Sequence, residues 1–245
     1  MYRPSWSERL RFLVGLPLSL IYLLIMLLTV LAYVVMPRRL FVALQQDVRN
    51  KEVAARMAAL RPFVQPGERL LDVGAGTGDF LKIIGAGLGA EVIGVDIIDY
   101  SDNDIDVLLF DGKTIPLEGK SVDISIAAFV LHHTRDQAAL IAEMKRVTRQ
   151  RIVIFEDAYF TPWQWLFLVW NDFYANQIVG SVKAFKSFGK LSIVTMPMPL
   201  TFRRVPQWEA FFAQNGLRLI STSVRHARIK PMSKVTFVLE VEPKA

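Results

Sequence analysis

Residues 70 to 78 read Leu70-Leu71-Asp72-Val73-Gly74-Ala75-Gly76-Thr77-Gly78. An apolar run broken by one carboxylate passes into a turn with glycine at every second position. Phe80, Leu81, Ile83 and Ile84 then follow at helical spacing. A strand, a glycine turn and a helix in that order let the backbone approach a ligand closely, because glycine tolerates positive φ and carries no side chain.

Beyond this segment, short β-branched runs alternate with helical patterns. Strands are expected at Arg69 to Val73, Glu91 to Val95, Ile105 to Leu109, Val122 to Ala127 and Arg151 to Phe155. Alternation of this kind predicts a parallel sheet covered by helices on both faces. Leu217 to Val224 and Val235 to Val241 follow each other across a turn containing Pro231, with no helix-length segment between them, and read as an antiparallel pair closing the sheet. Upstream, Leu40, Leu44, Val48, Val53, Met57 and Leu60 mark a helix over Arg39 to Phe63, stopped by Pro62 and Pro66-Gly67. From Ala158 to Gly216 the connection is far longer than usual and reads as an insertion.

The charge around the turn selects its ligand. A dinucleotide fingerprint needs a third glycine where this chain has Asp79, and a carboxylate there would repel a pyrophosphate. S-adenosylmethionine (SAM) has no phosphate but carries an ammonium and a sulfonium, so Asp72 and Asp79 are compatible with it. Val92-Ile93-Gly94-Val95-Asp96 ends a second strand in a carboxylate about 20 residues past the loop, placed to accept ribose hydroxyls, with Ile97 over the adenine face. Asp111, before Gly112, follows a third strand and suits the adenine amino group.

These motifs, with Asp111-Gly112-Lys113-Thr114-Ile115-Pro116 and Val130-Leu131-His132-His133, resemble those of class I SAM-dependent methyltransferases. Within them they are similar to the type 11 group, which includes the ubiquinone/menaquinone C-methyltransferases and small lipid methyltransferases. The resemblance covers about Arg61 to Glu156 and is loose beyond. It implies a Rossmann-like doubly wound α/β sheet of about seven strands, order 3-2-1-4-5-7-6, with the last strand antiparallel. It also implies that Asp72, Gly74 and Gly76, within the loop that includes Ala75, Thr77 and Gly78, hold the methionine part. Asp96 would hold the ribose, and Asp111 and Gly112 the adenine. Ala127 and Ala128 would flank the methionine amine through their backbone.

For catalysis, methyl transfer from a sulfonium is an in-line displacement in which the enzyme chiefly supplies alignment. An acidic acceptor additionally needs a base, and His132 or His133, after the fourth strand, is the candidate; structural roles for this pair are equally compatible with the sequence. Glu156, at the end of the fifth strand, is the second choice, as a residue orienting the acceptor or capping a helix. No metal is expected.

The chain has 245 residues, 52% of them hydrophobic, and a net charge of +6; its mean hydropathy is +0.32. No charge interrupts Phe12 to Met36, which as a helix would measure about 37 Å at ~1.5 Å per residue, against a hydrocarbon core of ~30 Å. The expected organisation is therefore a transmembrane or membrane-embedded anchor over 1–38 and a methyltransferase domain over 39–245, with 158–216 as a substrate or lid insertion. Gly15 and Pro17 leave a shallow or re-entrant insertion open. The absence of cysteine removes disulfides, thiolate nucleophiles and zinc-thiolate sites. Beside an apolar anchor, the basic charge favours anionic lipid over nucleic acid, and Lys183, Lys186, Lys190, Arg203, Arg204, Arg225, His226, Arg228 and Lys230 are candidates to face it. The aromatic run Pro162 to Trp170, with Phe173 and Tyr174, suits a headgroup layer or a buried helix.

The expected partners are thus a bilayer and a lipophilic acceptor such as a quinone precursor, a phospholipid or an isoprenoid-like molecule. The catalytic domain is expected to face the cytoplasm, where SAM is made. Methylation of RNA or protein, and a non-catalytic SAM-binding scaffold on a membrane, are the alternatives.

Overall fold

The computed structural model describes residues 15–98, 107–188, 199, 201–226 and 232–241. Its frame is a seven-stranded sheet in the order β3-β2-β1-β4-β5-β7-β6. The strands are β1 (Arg69–Val73), β2 (Glu91–Asp96), β3 (Val107–Leu109), β4 (Val122–Ala128), β5 (Thr148–Ala158), β6 (Leu217–His226) and β7 (Ser233–Val241). Strands β1 to β5 pair in parallel, while β7 runs antiparallel to both β5 and β6. The expected topology is the one observed, and most strand ends fall within three residues of those read from the sequence. The Ile105 start of β3 and the Pro231 turn lie outside the described residues.

The helices are α1 (Gly15–Val35), α2 (Arg38–Leu60), α3 (Asp79–Leu88), α4 (Gln137–Val147), α5 (Pro162–Phe173), α6 (Gly180–Phe188) and α7 (Val205–Gln214). Their starts follow from local chemistry. Asp136 caps α4 by accepting the Ala139 N–H at 2.9 Å. Thr161 and Gln164 form a reciprocal capping box at α5, with Pro162 in the first turn. Two apolar layers sandwich the sheet. One holds Trp208, Phe212 and Phe237, whose rings stack or meet edge-on at 5.6 and 5.1 Å. The other places Val53 and Leu60 of α2 and Ile84 of α3 against Leu70, Ile126 and Val153.

The N-terminal segment behaves differently from the expectation of a spanning anchor. Among the described residues, no helix is long and apolar enough to cross a membrane. The side chains of α1 are described continuously from Leu20 to Val35. This part of α1 docks on the insertion. Tyr22 meets the Phe167 ring edge-on at 5.2 Å, and the Tyr174 hydroxyl donates to the Met26 carbonyl at 2.9 Å. Met26, Phe167, Leu168, Phe202 and Met232 form a small core of their own. The insertion contains α5, a π-helical turn (Tyr174–Val179) and α6. Residues 189–198, the side chain of Lys183, and Lys190, Arg228 and Lys230 lie outside what is described.

Candidate active site

The glycine turn closes on the C-terminal ends of β1, β2 and β4. Gly74, Gly76 and Gly78 have φ of 78°, 57° and 73°, a left-handed run that only glycine adopts without strain. A Cβ on Gly74 would run into the Val130 side chain, whereas at Gly76 nothing lies within 4 Å of that position, so the loop leaves an open cradle there. The Gly74 and Ala75 amides donate to the Val95 carbonyl at 2.8 and 3.1 Å. Gly78 caps α3, whose first turn carries Asp79, favourably placed at a positive helix end. The Thr77 hydroxyl donates to Asp79 at 2.8 Å, and Arg49 of α2 pairs with the same carboxylate.

A cavity of roughly 560 Å³ opens against this turn. Of the residues singled out in the sequence for the cofactor, Gly74, Gly76, Asp96, Ile97, Asp111, Gly112 and Ala128 line it. Asp72, Ala75, Thr77, Gly78 and Ala127 do not; they stand behind the wall or shape the turn. Asp96 Oδ2 accepts the Gly76 N–H at 2.8 Å and Oδ1 the Ile98 N–H at 3.1 Å, so this carboxylate also fixes the loop. One oxygen of Asp111 accepts from the Lys113 and Thr114 amides, each at 2.8 Å, and the Thr114 and Lys113 bonds hold its pKa below the ordinary value. Ile97 is 50% exposed, an apolar surface offered to the cavity.

Asp72 is buried, and its Oδ1 has no hydrogen-bond partner. Desolvation raises its pKa, Arg56 of α2 opposes the rise, Asp96 adds to it, and the result is about 7. A buried carboxyl with an open acceptor beneath a cradle that lacks side chains fits a cationic ligand group such as the ammonium of SAM.

The second cluster joins β4, β5 and the insertion. His132 is buried, with Nδ1 2.5 Å from Glu156 Oε2 and Nε2 3.7 Å from Asp172 Oδ1. Glu156 Oε1 also accepts the Leu131 and His132 amides at 2.9 and 3.4 Å, so it caps the single turn Leu131–His133. Phe202 stacks on His132 at 4.7 Å. Burial disfavours the His132 charge, but Glu156 and then Asp172 outweigh it and raise the pKa to about 10. His133 lines the cavity, with Nε2 3.5 Å from the same Asp172 oxygen. Asp172 was not singled out in the sequence; an acid inside an aromatic helix carries no signal of a partner on another element. Phe129, also in the cavity wall, has φ of 60°, a backbone conformation rare outside glycine, and no residue-type pattern announces it.

Comparison with known proteins agrees with this geometry. The family model described as a methyltransferase domain matches residues 71–154. The ubiquinone/menaquinone biosynthesis C-methyltransferase UbiE of Burkholderia cenocepacia (strain HI2424) is 33% identical over 137 residues, covering 47% of this chain and 56% of the relative. The match therefore spans only about half of each protein. Among solved structures, geranyl diphosphate methyltransferase in complex with SAM aligns with a TM-score of 0.57 at 15% identity, over 86% of this chain and 94% of that one. The [4+2]-cyclase SpnF aligns with a TM-score of 0.55 at 12% identity, over 77% and 79%. Likeness at such identities shows the fold, and SpnF illustrates that the fold is used for more than one reaction. Residues 71–154 thus match a methyltransferase domain, and the strand order agrees with the fold of the solved methyltransferase.

Proposed function

We propose that the chain transfers a methyl group from SAM to a lipophilic small molecule, a quinone precursor, a phospholipid or an isoprenoid-like compound, at a membrane surface facing the cytoplasm. The observation that carries the reading is the cavity, whose wall gathers the glycine cradle, Asp96, Asp111 and His133. In this reading Gly74 and Gly76 approach the methionine part, Asp72 compensates its ammonium, Asp96 takes the ribose and Asp111 the adenine edge.

When bound, SAM supplies a methyl group already activated by its sulfonium. The protein's own contribution is alignment, and effective molarities of well-oriented reactants account for up to about 7–11 kcal/mol of such barriers. Where the acceptor must lose a proton, His133 is the base in the cavity wall. His132 is held protonated between Glu156 and Asp172, so it positions the turn and sets the field at Asp172 instead of removing a proton.

Support for a membrane surface comes from apolar exposure. On α1, Leu20, Leu24, Leu27 and Leu31 are each at least 58% exposed, and on the docked insertion Trp163 and Leu166 are 53% and 55% exposed. Exposed apolar groups this numerous on two docked helices are characteristic of lipid or partner contact. The domain reading is correspondingly an N-terminal membrane-embedded segment over 1–38 and a catalytic domain over 39–245 whose insertion, 158–216, forms the acceptor side.

The test is a transfer assay with methyl-tritiated SAM, the detergent-purified full chain, a membrane-lipid extract and, separately, a water-soluble metabolite pool. Label is expected in the organic phase. Label confined to water-soluble products would contradict the acceptor class and leave the cofactor reading intact.

A further inference from the structure

Phe129 borders a second cavity, roughly 150 Å³ in volume. At roughly 10–15 Å³ of such space per water, this is ample for a phosphoryl or carboxylate group. Its polar lining comes from three elements: Glu52 and Arg56 of α2, Ser223 and Arg225 of β6, and Lys234 and Thr236 of β7.

The charge there is arranged against the chain's own interest. Arg225 and Lys234 are register partners across β6 and β7, and like charges directly opposite each other destabilise a sheet. Glu52 bridges them, 2.8 Å from Lys234 Nζ and 3.4 Å from Arg225 Nη2. A third cation, Arg56, one helical turn from Glu52, places its guanidinium 4.4 Å above the Phe80 ring and 5.8 Å from that of Phe129. Its Nε is buried and has no hydrogen-bond partner. Three cations thus meet one lining carboxylate, Glu52; the buried Asp72 also acts on Arg56, and the set is left with surplus positive charge and a buried donor over. A purely structural ion pair needs neither the surplus charge nor the open volume, whereas an oxyanion uses both, accepting from guanidinium N–H groups and from Nζ.

We propose that this cavity receives a compact oxyanion, a phosphate or carboxylate carried by the methyl acceptor, which would hold the acceptor beside the wall formed by Phe129. The proposal rests on the methyltransferase reading of the neighbouring cavity and narrows its acceptors to lipophilic molecules that bear an anionic group. The carboxylate of the cofactor's methionine part has the same chemistry, and the experiment separates the two sources.

The experiment is calorimetric titration of the detergent-purified full chain with inorganic phosphate and with pyrophosphate, before and after saturation with S-adenosylhomocysteine. Saturable binding that survives saturation is expected. It should weaken about tenfold in Arg56→Gln and about threefold in Arg225→Gln, in line with the loss of one charged hydrogen bond or of a rim charge. Arg225 is a half-exposed residue at the rim, so its variant still reads the site if Arg56→Gln does not fold. No saturable binding, displacement by S-adenosylhomocysteine, or unchanged affinity in both variants would overturn the proposal. Should phosphate bind and weaken as stated while S-adenosylhomocysteine does not bind at all, the oxyanion cavity stands and the cofactor reading falls.

Discussion

Asp72 is an acid held where its charge is costly. Its pKa rises from 3.8 to about 7 on folding, so the penalty is absent below the unfolded value, grows as pH rises from 3.8 towards 7, and is constant above. Asp72→Asn is therefore expected to raise the unfolding midpoint at pH 8 and to leave it unchanged at pH 4, while weakening S-adenosylhomocysteine binding by up to about tenfold through the lost charge behind the cradle. Thermal scans and calorimetry at both pH values check this; a variant destabilised at pH 8 would contradict the costly charge, and unchanged S-adenosylhomocysteine binding would remove Asp72 from the cofactor site. His132 has the opposite linkage. Its folded pKa of about 10 lies above the ordinary 6.5, so its contribution is complete below pH 6.5 and is lost as pH climbs through 10. Removing the imidazole also strands the fully buried Glu156, a loss of about 3–5 kcal/mol for a broken buried pair. Denaturant melts of His132→Asn should thus show a large deficit at pH 6 that narrows towards pH 10, and a pH-independent deficit would mean that the pair carries no such charge.

Elements were legible in proportion to how local their signals are. The β1 strand, the glycine turn and the carboxylates at the ends of β2 and β3 are readable because each sits within a few residues of the glycine or strand pattern that gives it meaning. The contact of Glu156 with His132 was half legible: both residues stood out, but only the parallel register of β4 with β5 brings them together. Asp172, Arg56 and Phe129 were not legible. Their significance comes from elements distant in sequence, or from a left-handed backbone at a position where residue type gives no cue. The spanning anchor read from Phe12 to Met36 met a different limit. Hydropathy registers an apolar stretch but not that the part from Leu20 onward packs on α5, which burial of Met26 and Phe167 now shows. A prediction belongs to these docked helices. Trp163→Ser combined with Trp170→Ser changes two side chains that are 53% and 42% exposed, so folding should be unaffected while flotation with vesicles containing anionic lipid falls severalfold. Flotation equal to that of the unaltered chain would place the lipid contact elsewhere.

At the scale of the whole molecule, the sheet sets out two neighbouring compartments with Phe129 between them. The larger collects the glycine cradle and carboxylates suited to a cationic nucleoside, and the smaller collects surplus positive charge. The insertion completes the arrangement by bringing Asp172 to the two histidines and docking α1. The larger compartment is the proposed SAM site. The deciding measurement is calorimetric titration of the detergent-purified full chain with SAM and S-adenosylhomocysteine, beside Asp96→Ala, which removes the carboxylate that both lines the cavity and holds Gly76. Micromolar binding, on the order of 8 kcal/mol, that is lost in the variant is the predicted result; no binding of either ligand by folded protein would contradict it.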